Sequence, residues 1–359
     1  MSQRHRRAAA ADVAVTPQPS VAQPFSGRRV VVEVPATSAN LGPGFDCVGL
    51  ALNMRNTFEI TIIPSVTGAN SAAPCAVELA PMPDGSGHAP DIALSGDNLF
   101  CRAFALLCER RGVPPPMMRV RITAAIPPGR GLGSSATAVV GGLLAASALL
   151  DQPCSSAELL ELAIACEPGG HADNVAAALL GGLVVTGANT GDGSIIALPL
   201  PVPAGLRTVV FIPDQPMSTV AGRALLPARY SRDDVSFNLS RLALLLAALQ
   251  TGHFDALATA MEDRVHQPYR QHLFPQLGSL IDAALAASAH GACLSGGGSS
   301  VLALVSDAHQ AERVRDALTE ASQSLKTPGR CVIADIARQG ARAARLDHPA
   351  AQTNEGGLA

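Results

Sequence analysis

Pro127-Pro128-Gly129-Arg130-Gly131-Leu132-Gly133-Ser134-Ser135-Ala136-Thr137 is a glycine- and serine-rich turn set between two regular segments. A strand-like run, Arg119 to Thr123, precedes it, and an Ala/Val-rich segment that reads as a helix, Ala138 to Leu150, follows it. Strand, glycine turn, helix is an arrangement in which backbone N–H groups and a helix N-terminus converge on an anion. Glycines let the backbone come close to a phosphate because no Cβ intervenes. The two serines can cap the helix, bind a phosphate oxygen or ligate Mg²⁺. A Walker-type loop is excluded, because no Gly-Lys-Ser/Thr follows the glycines.

The surrounding chain has 359 residues, 48% hydrophobic and 15% charged, with a formal net charge of -3. That length suggests two domains with ample core. The body of the chain carries no basic block, so no nucleic-acid partner is expected. The apolar run at Ala136 to Leu150 is shorter than the roughly 20 residues that cross a bilayer, so no membrane partner is expected either. The eight cysteines form no Cys-x-x-Cys pair and are expected as reduced, buried thiols of a cytoplasmic protein. The Arg-rich, acid-poor leader reads as a disordered tail or as a transit peptide.

Patterning divides the chain into a disordered leader (1–28), a first domain (29–195), a second domain (196–345) and a disordered tail (346–359). Strands are expected at Arg29 to Pro35, Asn56 to Ile63, Cys75 to Leu79, Leu183 to Thr186, Arg207 to Ile212, Val301 to Val305 and Arg330 to Ala337. Thr37 to Gly49 reads as turn. Helices are expected at Asn98 to Arg111, Ser155 to Cys166, Asp173 to Leu180, Val220 to Leu226, Asn238 to Leu249, Phe254 to Glu262, Leu277 to Ala289 and Ala308 to Leu325. Ser65 to Gly96 reads as a long excursion.

Two further glycine-rich strings stand far from the first: Pro35-Ala-Thr-Ser-Ala-Asn40-Leu-Gly42-Pro-Gly44-Phe-Asp46, and Ser295-Gly296-Gly297-Gly298-Ser299-Ser300. In this order the three strings resemble the three motifs of the GHMP kinases, and the resemblance spans roughly Val30 to Gly340. Thr37 to Asp46, His171 to Ala178, Ser218 to Pro227 and His266 to Arg270 are similar to the members of that family that phosphorylate L-homoserine. The string typical of the galactose-phosphorylating members is absent.

The resemblance implies an α+β, two-domain fold. Its first domain has a mixed sheet with a left-handed βαβ unit, and its second is ferredoxin-like. It implies an ATP-dependent kinase acting on homoserine for threonine synthesis, with Mg²⁺ and commonly as a homodimer. Alternatives are another small-molecule substrate, or a catalytically silent member. ATP falls to Pro127 through Thr137 (Pro127, Pro128, Gly129, Arg130, Gly131, Leu132, Gly133, Ser134, Ser135, Ala136, Thr137), with Asn98 either at the adenine or only a helix cap. Mg²⁺ falls to Glu167 and Ser135, or Ser134. Arg223 and Arg270 would take the substrate carboxylate, for which a guanidinium fork is suited; Arg264 is the competitor for the second role. Asp46 would take the ammonium. Asn40 and Asn174 would take the hydroxyl, supported by His171 and Asp173. Thr219 would lie near the transferring phosphoryl, with Asn40, Thr219 and Arg223 closest to the chemistry. No Lys–Asp base pair is evident, since Lys326 is the only lysine; Asp173 is the weaker base candidate. Ser295 to Ser300 either buttresses the phosphate loop or touches ligand.

Overall fold

The computed structural model describes residues 27–63, 75–80, 92–94, 97–150, 153–167 and 169–346. Most of the leader, the tail after Leu346 and most of the Ser65 to Gly96 excursion lie outside the described residues.

The first domain is built on a hairpin of two long strands, β1 (Arg29–Asn40) and β2 (Gly44–Ile62). Val30, Val32 and Val34 alternate inward and are fully buried, the period-2 pattern of a half-buried strand. The hairpin continues through β3 (Cys75–Leu79) and β4 (Met118–Thr123), which pair in parallel with helix α1 (Leu99–Arg110) between them. Helices α2 (Ser134–Leu149), α3 (Ser156–Cys166) and α4 (Ala172–Leu180) follow, then strands β5 (Leu183–Ala188) and β6 (Ile195–Leu200). The sheet order is β11-β1-β2-β4-β3, β11 being Arg342–Arg345, with β5 and β6 beside the first half of β2. One core cluster joins this sheet to α1 through α4, including Phe58, Phe100, Phe104 and Val140.

The second sheet, β10-β7-β9-β8, is antiparallel: β7 (Arg207–Pro213), β8 (Gly291–Leu294), β9 (Val301–Val305) and β10 (Gly329–Asp335). Between β7 and β8 lie α5 (Thr219–Ala224), α6 (Arg232–Thr251), a 3-10 turn at Phe254–Ala256, α7 (Leu257–Ala260), α8 (Gln267–Arg270) and α9 (Leu277–Ala286). Helix α10 (Ala308–Ser324) connects β9 to β10. That order is ferredoxin-like. A second core cluster, with Leu50 and Leu52 from the hairpin and Val210 and Leu304 from the second sheet, joins the two domains.

The turn expected at Thr37 to Gly49 is mostly strand. β1 runs on to Asn40 and β2 restarts at Gly44, leaving three residues for the turn. Asn40, Leu41 and Gly42 reverse the chain at positive φ, and Asp46, inside β2, also has positive φ. Helix α6 starts six residues earlier than expected, where Ser231 caps it by accepting from the Asp234 N–H. Strands β6, β8 and β11 were not expected; β6 and β11 belong to the first sheet, although they fall at the two ends of the range drawn for the second domain. The thiol expectation also needs correction. Cys75 and Cys101 form a disulfide that ties β3 to α1 with Cα atoms 6.3 Å apart, and the other six cysteines form no disulfide. Neighbouring elements brought two distant cysteines together, which no local spacing could signal.

Candidate active site

The three glycine strings meet. Ser295 Oγ lies 2.7 Å from the Gly131 carbonyl and 2.8 Å from Ser38 Oγ. The Ser300 N–H donates to the Arg130 carbonyl and the Gly296 N–H to the Ala39 carbonyl. The Thr37 N–H donates to the Leu132 carbonyl. The third string therefore braces the other two, and Gly296 and Gly297 also line the cleft they enclose. Its volume is about 560 Å³.

One wall is the first glycine string. Gly129, Gly131 and Gly133 all have positive φ. A Cβ on Gly131 would sit 2.1 Å from the Ser295 carbonyl oxygen, and one on Gly133 would sit 1.9 Å from Thr37 Oγ1. Glycine is required at both for the loop to dock. Gly133 is the N-cap of α2 and has no side chain to occupy the helix N-terminus. The first amides of α2 are therefore left to an anion. Pro128, Gly129, Gly131, Leu132, Gly133, Ser134 and Ser135 line the cleft; Pro127, Arg130, Ala136 and Thr137 are not among its lining residues. Arg130 turns away and donates to the carbonyls of Pro128, Pro213 and Asp214. Ala136 is core, and Thr137 bridges the Ser134 carbonyl and Asn56.

Glu167, at the C-terminus of α3, accepts at Oε1 a 2.5 Å hydrogen bond from Ser135 Oγ. Its Oε2 is buried with no partner. Burial pushes its carboxyl up to about 7, against the lowering hydrogen bond from Ser135 and charge of His171. An orphaned carboxylate oxygen beside a hydroxyl suits a hard cation. Among the described residues no group of three or more His, Cys, Asp or Glu could hold a metal on its own. A cation here would have to complete its shell with water and substrate phosphates, which is the habit of Mg²⁺.

The opposite wall is charged. Arg223 Nη2 lies 2.6 Å from Asp46 Oδ1 and 2.8 Å from His171 Nδ1. Burial raises the Asp46 carboxyl, but the His171 and Arg223 hydrogen bonds and charges outweigh it and hold it below the usual value. Arg270 is 2% exposed and donates to the Gly296 carbonyl at 2.9 Å. Burial, then the nearby Arg223 charge, lowers its affinity for the proton, although a guanidinium stays a cation. The Nε atoms of both arginines are buried without partners. Asn40 donates to the same Gly296 carbonyl at 2.9 Å and accepts from the Asp46 N–H. Asn174 accepts from Thr37 Oγ1 and donates to Asp173, whose carboxyl burial raises to about 6. Thr219 lines the cleft at the start of α5.

The cleft thus gathers Asn40, Asp46, His171, Asp173, Asn174, Thr219, Arg223 and Arg270 beside Ser134, Ser135 and Glu167. Arg264 is not among its lining residues; it pairs with Asp234 at 3.6 Å and covers the Phe237 ring. Asn98 has two places in the structure. It caps α1 by accepting from the Phe100 N–H, and it lines the cleft. Around it lie residues that sequence reasoning did not select: Asn56, Phe58, Ile92, Leu99, Ile122 and Ala138. They carry no motif, and their shared position comes from the β2-β4-α1-α2 packing.

The GHMP kinases N terminal domain family matches residues 98–182, and the GHMP kinases C terminal family matches 245–323. The homoserine kinase of a Synechococcus sp. is 42% identical over 312 residues, covering 87% of this chain and 97% of that protein. The homoserine kinase of Microchaete diplosiphon is 40% identical, covering 91% of this chain and 98% of that one. The crystal structure of homoserine kinase from Cytophaga hutchinsonii superposes with a TM-score of 0.76 at 25% identity, over 88% of this chain and 97% of the other.

Proposed function

The chain belongs to the GHMP kinase family, and from that premise we infer that it transfers the γ-phosphoryl group of ATP to the side-chain hydroxyl of L-homoserine. The observation that carries the reading is one cleft with two unlike walls. Phosphate-binding backbone faces a wall on which the Arg223–Asp46 pair, Arg270 and two asparagines match an α-amino acid with a terminal hydroxyl.

ATP phosphates would rest on the amides of the loop and the start of α2. The base would extend toward Asn98 and the apolar surface of Phe58 and Ile122. Glu167 and Ser135 would hold Mg²⁺, which supplies charge neutralisation to the phosphates. Arg223 and Arg270 would clamp the substrate carboxylate and Asp46 its ammonium. That leaves the hydroxyl to Asn40 and Asn174, close to Thr219. Held so, the hydroxyl oxygen forms its bond to the γ-phosphorus as the bond to the bridging oxygen breaks and ADP leaves, and the hydroxyl proton passes late to an oxygen of the transferred phosphoryl group; positioning supplies most of the acceleration. Lys326 follows the C-cap of α10, is not among the cleft's lining residues, and is no base. A second reading has Asp173 take the proton; its raised carboxyl and place in the cleft favour it. The family resemblance adds a homodimer and a cytoplasmic location, which sedimentation and cell fractionation would check. No helix among the described residues is long and apolar enough to cross a membrane.

A coupled ADP-release assay with homoserine, mevalonate and galactose in parallel tests the reading. Turnover is expected with homoserine alone; no turnover with any would sink the kinase, and turnover with mevalonate alone would sink the substrate. Arg223→Ala should raise the homoserine KM by roughly tens-fold, the cost of one truncated charge-assisted contact. An unchanged KM removes Arg223 from the site.

A further inference from the structure

His266 is fully buried, four residues before Arg270, and no step above uses it. Its ring nitrogens serve two different partners. Nε2 lies 2.8 Å from the Gly42 carbonyl oxygen, and Nδ1 lies 3.1 Å from Arg270 Nη1. A carbonyl only accepts and a guanidinium only donates. One ring form satisfies both: Nε2–H donates to Gly42 and bare Nδ1 accepts from Arg270. Burial also disfavours a second proton on the ring, with the Asp263 charge opposing it and that of Arg270 reinforcing it.

Phe45 completes the arrangement. Its ring stacks on His266 at a centroid distance of 5.4 Å. The guanidinium carbons of Arg223 and Arg270 stand 5.3 and 5.5 Å from the same ring centroid. Both cations therefore meet one aromatic ring. Gly42 lies in the β1–β2 turn and Phe45 just after it, both between Asn40 and Asp46. His266 thus connects the turn placed at the ammonium and hydroxyl to the arginine placed at the carboxylate.

We propose that His266 and Phe45 are positioning residues that fix Arg270 and Arg223 relative to the Asn40–Asp46 turn, so that the site measures the carboxylate-to-ammonium spacing of its substrate. The proposal rests on the homoserine reading above. Asparagine and glutamine separate the two nitrogens of His266. Asparagine can place an acceptor where Nδ1 stands and keeps the bond from Arg270; glutamine can place a donor where Nε2 stands and keeps only the bond to Gly42.

The test uses the full chain, ATP, homoserine and 3-aminopropan-1-ol, which is homoserine without its carboxylate. The last is assayed as substrate or as competitor. His266→Gln should raise the homoserine KM roughly tenfold, the worth of one charge-assisted hydrogen bond, while His266→Asn stays within about threefold. Neither should change the KM for ATP or the affinity for 3-aminopropan-1-ol by more than about twofold. Phe45→Leu, which keeps an apolar side chain, should weaken homoserine and spare 3-aminopropan-1-ol. An unchanged homoserine KM in folded His266→Gln, or equal penalties with and without the carboxylate, overturns the proposal. Should His266→Gln fail to fold, Phe45→Leu decides on the same two compounds. Absence of wild-type turnover of homoserine would instead overturn the substrate reading.

Discussion

On the proposed reading, the two walls of the cleft solve the same problem, binding charge away from bulk water, by different means. The phosphate wall uses backbone. Three positive-φ glycines and the amide end of α2 form it, and its one arginine, Arg130, points outward to carbonyls. The amino-acid wall uses side chains drawn from the β1–β2 turn, the start of α4, α5 and α8, held by ion pairs and a buried histidine. Backbone amides are fixed by the fold and need no counter-charge. Charged side chains need partners of their own, as Arg223 has in Asp46. A zwitterion can replace that internal pair with two contacts of its own. An inorganic phosphate brings no ammonium, so it leaves Asp46 without compensation.

If the phosphate wall depends on glycine, adding one methyl group there should do more than deleting a whole side chain nearby. Gly131→Ala places its Cβ 2.1 Å from the Ser295 oxygen at a φ of +70°. Either the loop or the Ser295–Ser300 brace must move. A displacement near 1 Å at a reacting group costs roughly 100-fold, so kcat/KM for ATP should fall by about that factor. Steady-state kinetics beside a thermal midpoint separate this from unfolding. Wild-type kinetics would mean that the brace is slack.

This wall was legible in the sequence because it is local. The glycines and both serines lie within seven consecutive residues, and the strand and helix on either side have clear periods. Its limits were less legible: Ala136 and Thr137 share the motif but face the core. The amino-acid wall is scattered from Asn40 to Arg270, and no local rule joins those positions; only a resemblance over the whole chain named them. His266 and Phe45 stood inside quoted strings, yet their roles depend on two rings stacking across 221 positions of sequence (266 − 45). Strand β6 escaped because Pro199 interrupts its alternation, and β11 because Arg-Ala-Ala-Arg has little strand propensity. Both are edge strands, set by the partners they join.

Arg130 sharpens the contrast from the other side. It is the cation in the phosphate motif, and a reading by charge would have it bind ATP. Its guanidinium instead ties the loop to Pro213 and Asp214 at the end of β7. Arg130→Ala should therefore raise the KM for ATP only about fivefold, in line with roughly 1 kcal/mol for neutral-acceptor bonds of a partly exposed group, and leave that for homoserine unchanged. A loss near 100-fold would place its charge on the phosphates after all.

The smallest effect in rate belongs to Asp173, which lies where the two walls meet. Burial, with the Asp46 charge adding to it, raises its carboxyl to about 6, against the lowering hydrogen bonds from Asn174. In the unfolded chain the group titrates near 3.8. Between these values the folded protein holds the proton more tightly, so stability falls as pH rises through the window and the cost is complete above about pH 6. Asp173→Asn deletes the charge and keeps an acceptor for the Asn174 N–H. The variant should be more stable than the parent at pH 7.5, by up to roughly 3 kcal/mol, and the gap should close toward pH 4. Thermal midpoints at the two ends of that range check it. The same variant decides the proton's route. If the hydroxyl loses its proton late and without Asp173, kcat at pH 7.5 stays within about threefold; a loss of roughly 100- to 10,000-fold would make Asp173 the general base.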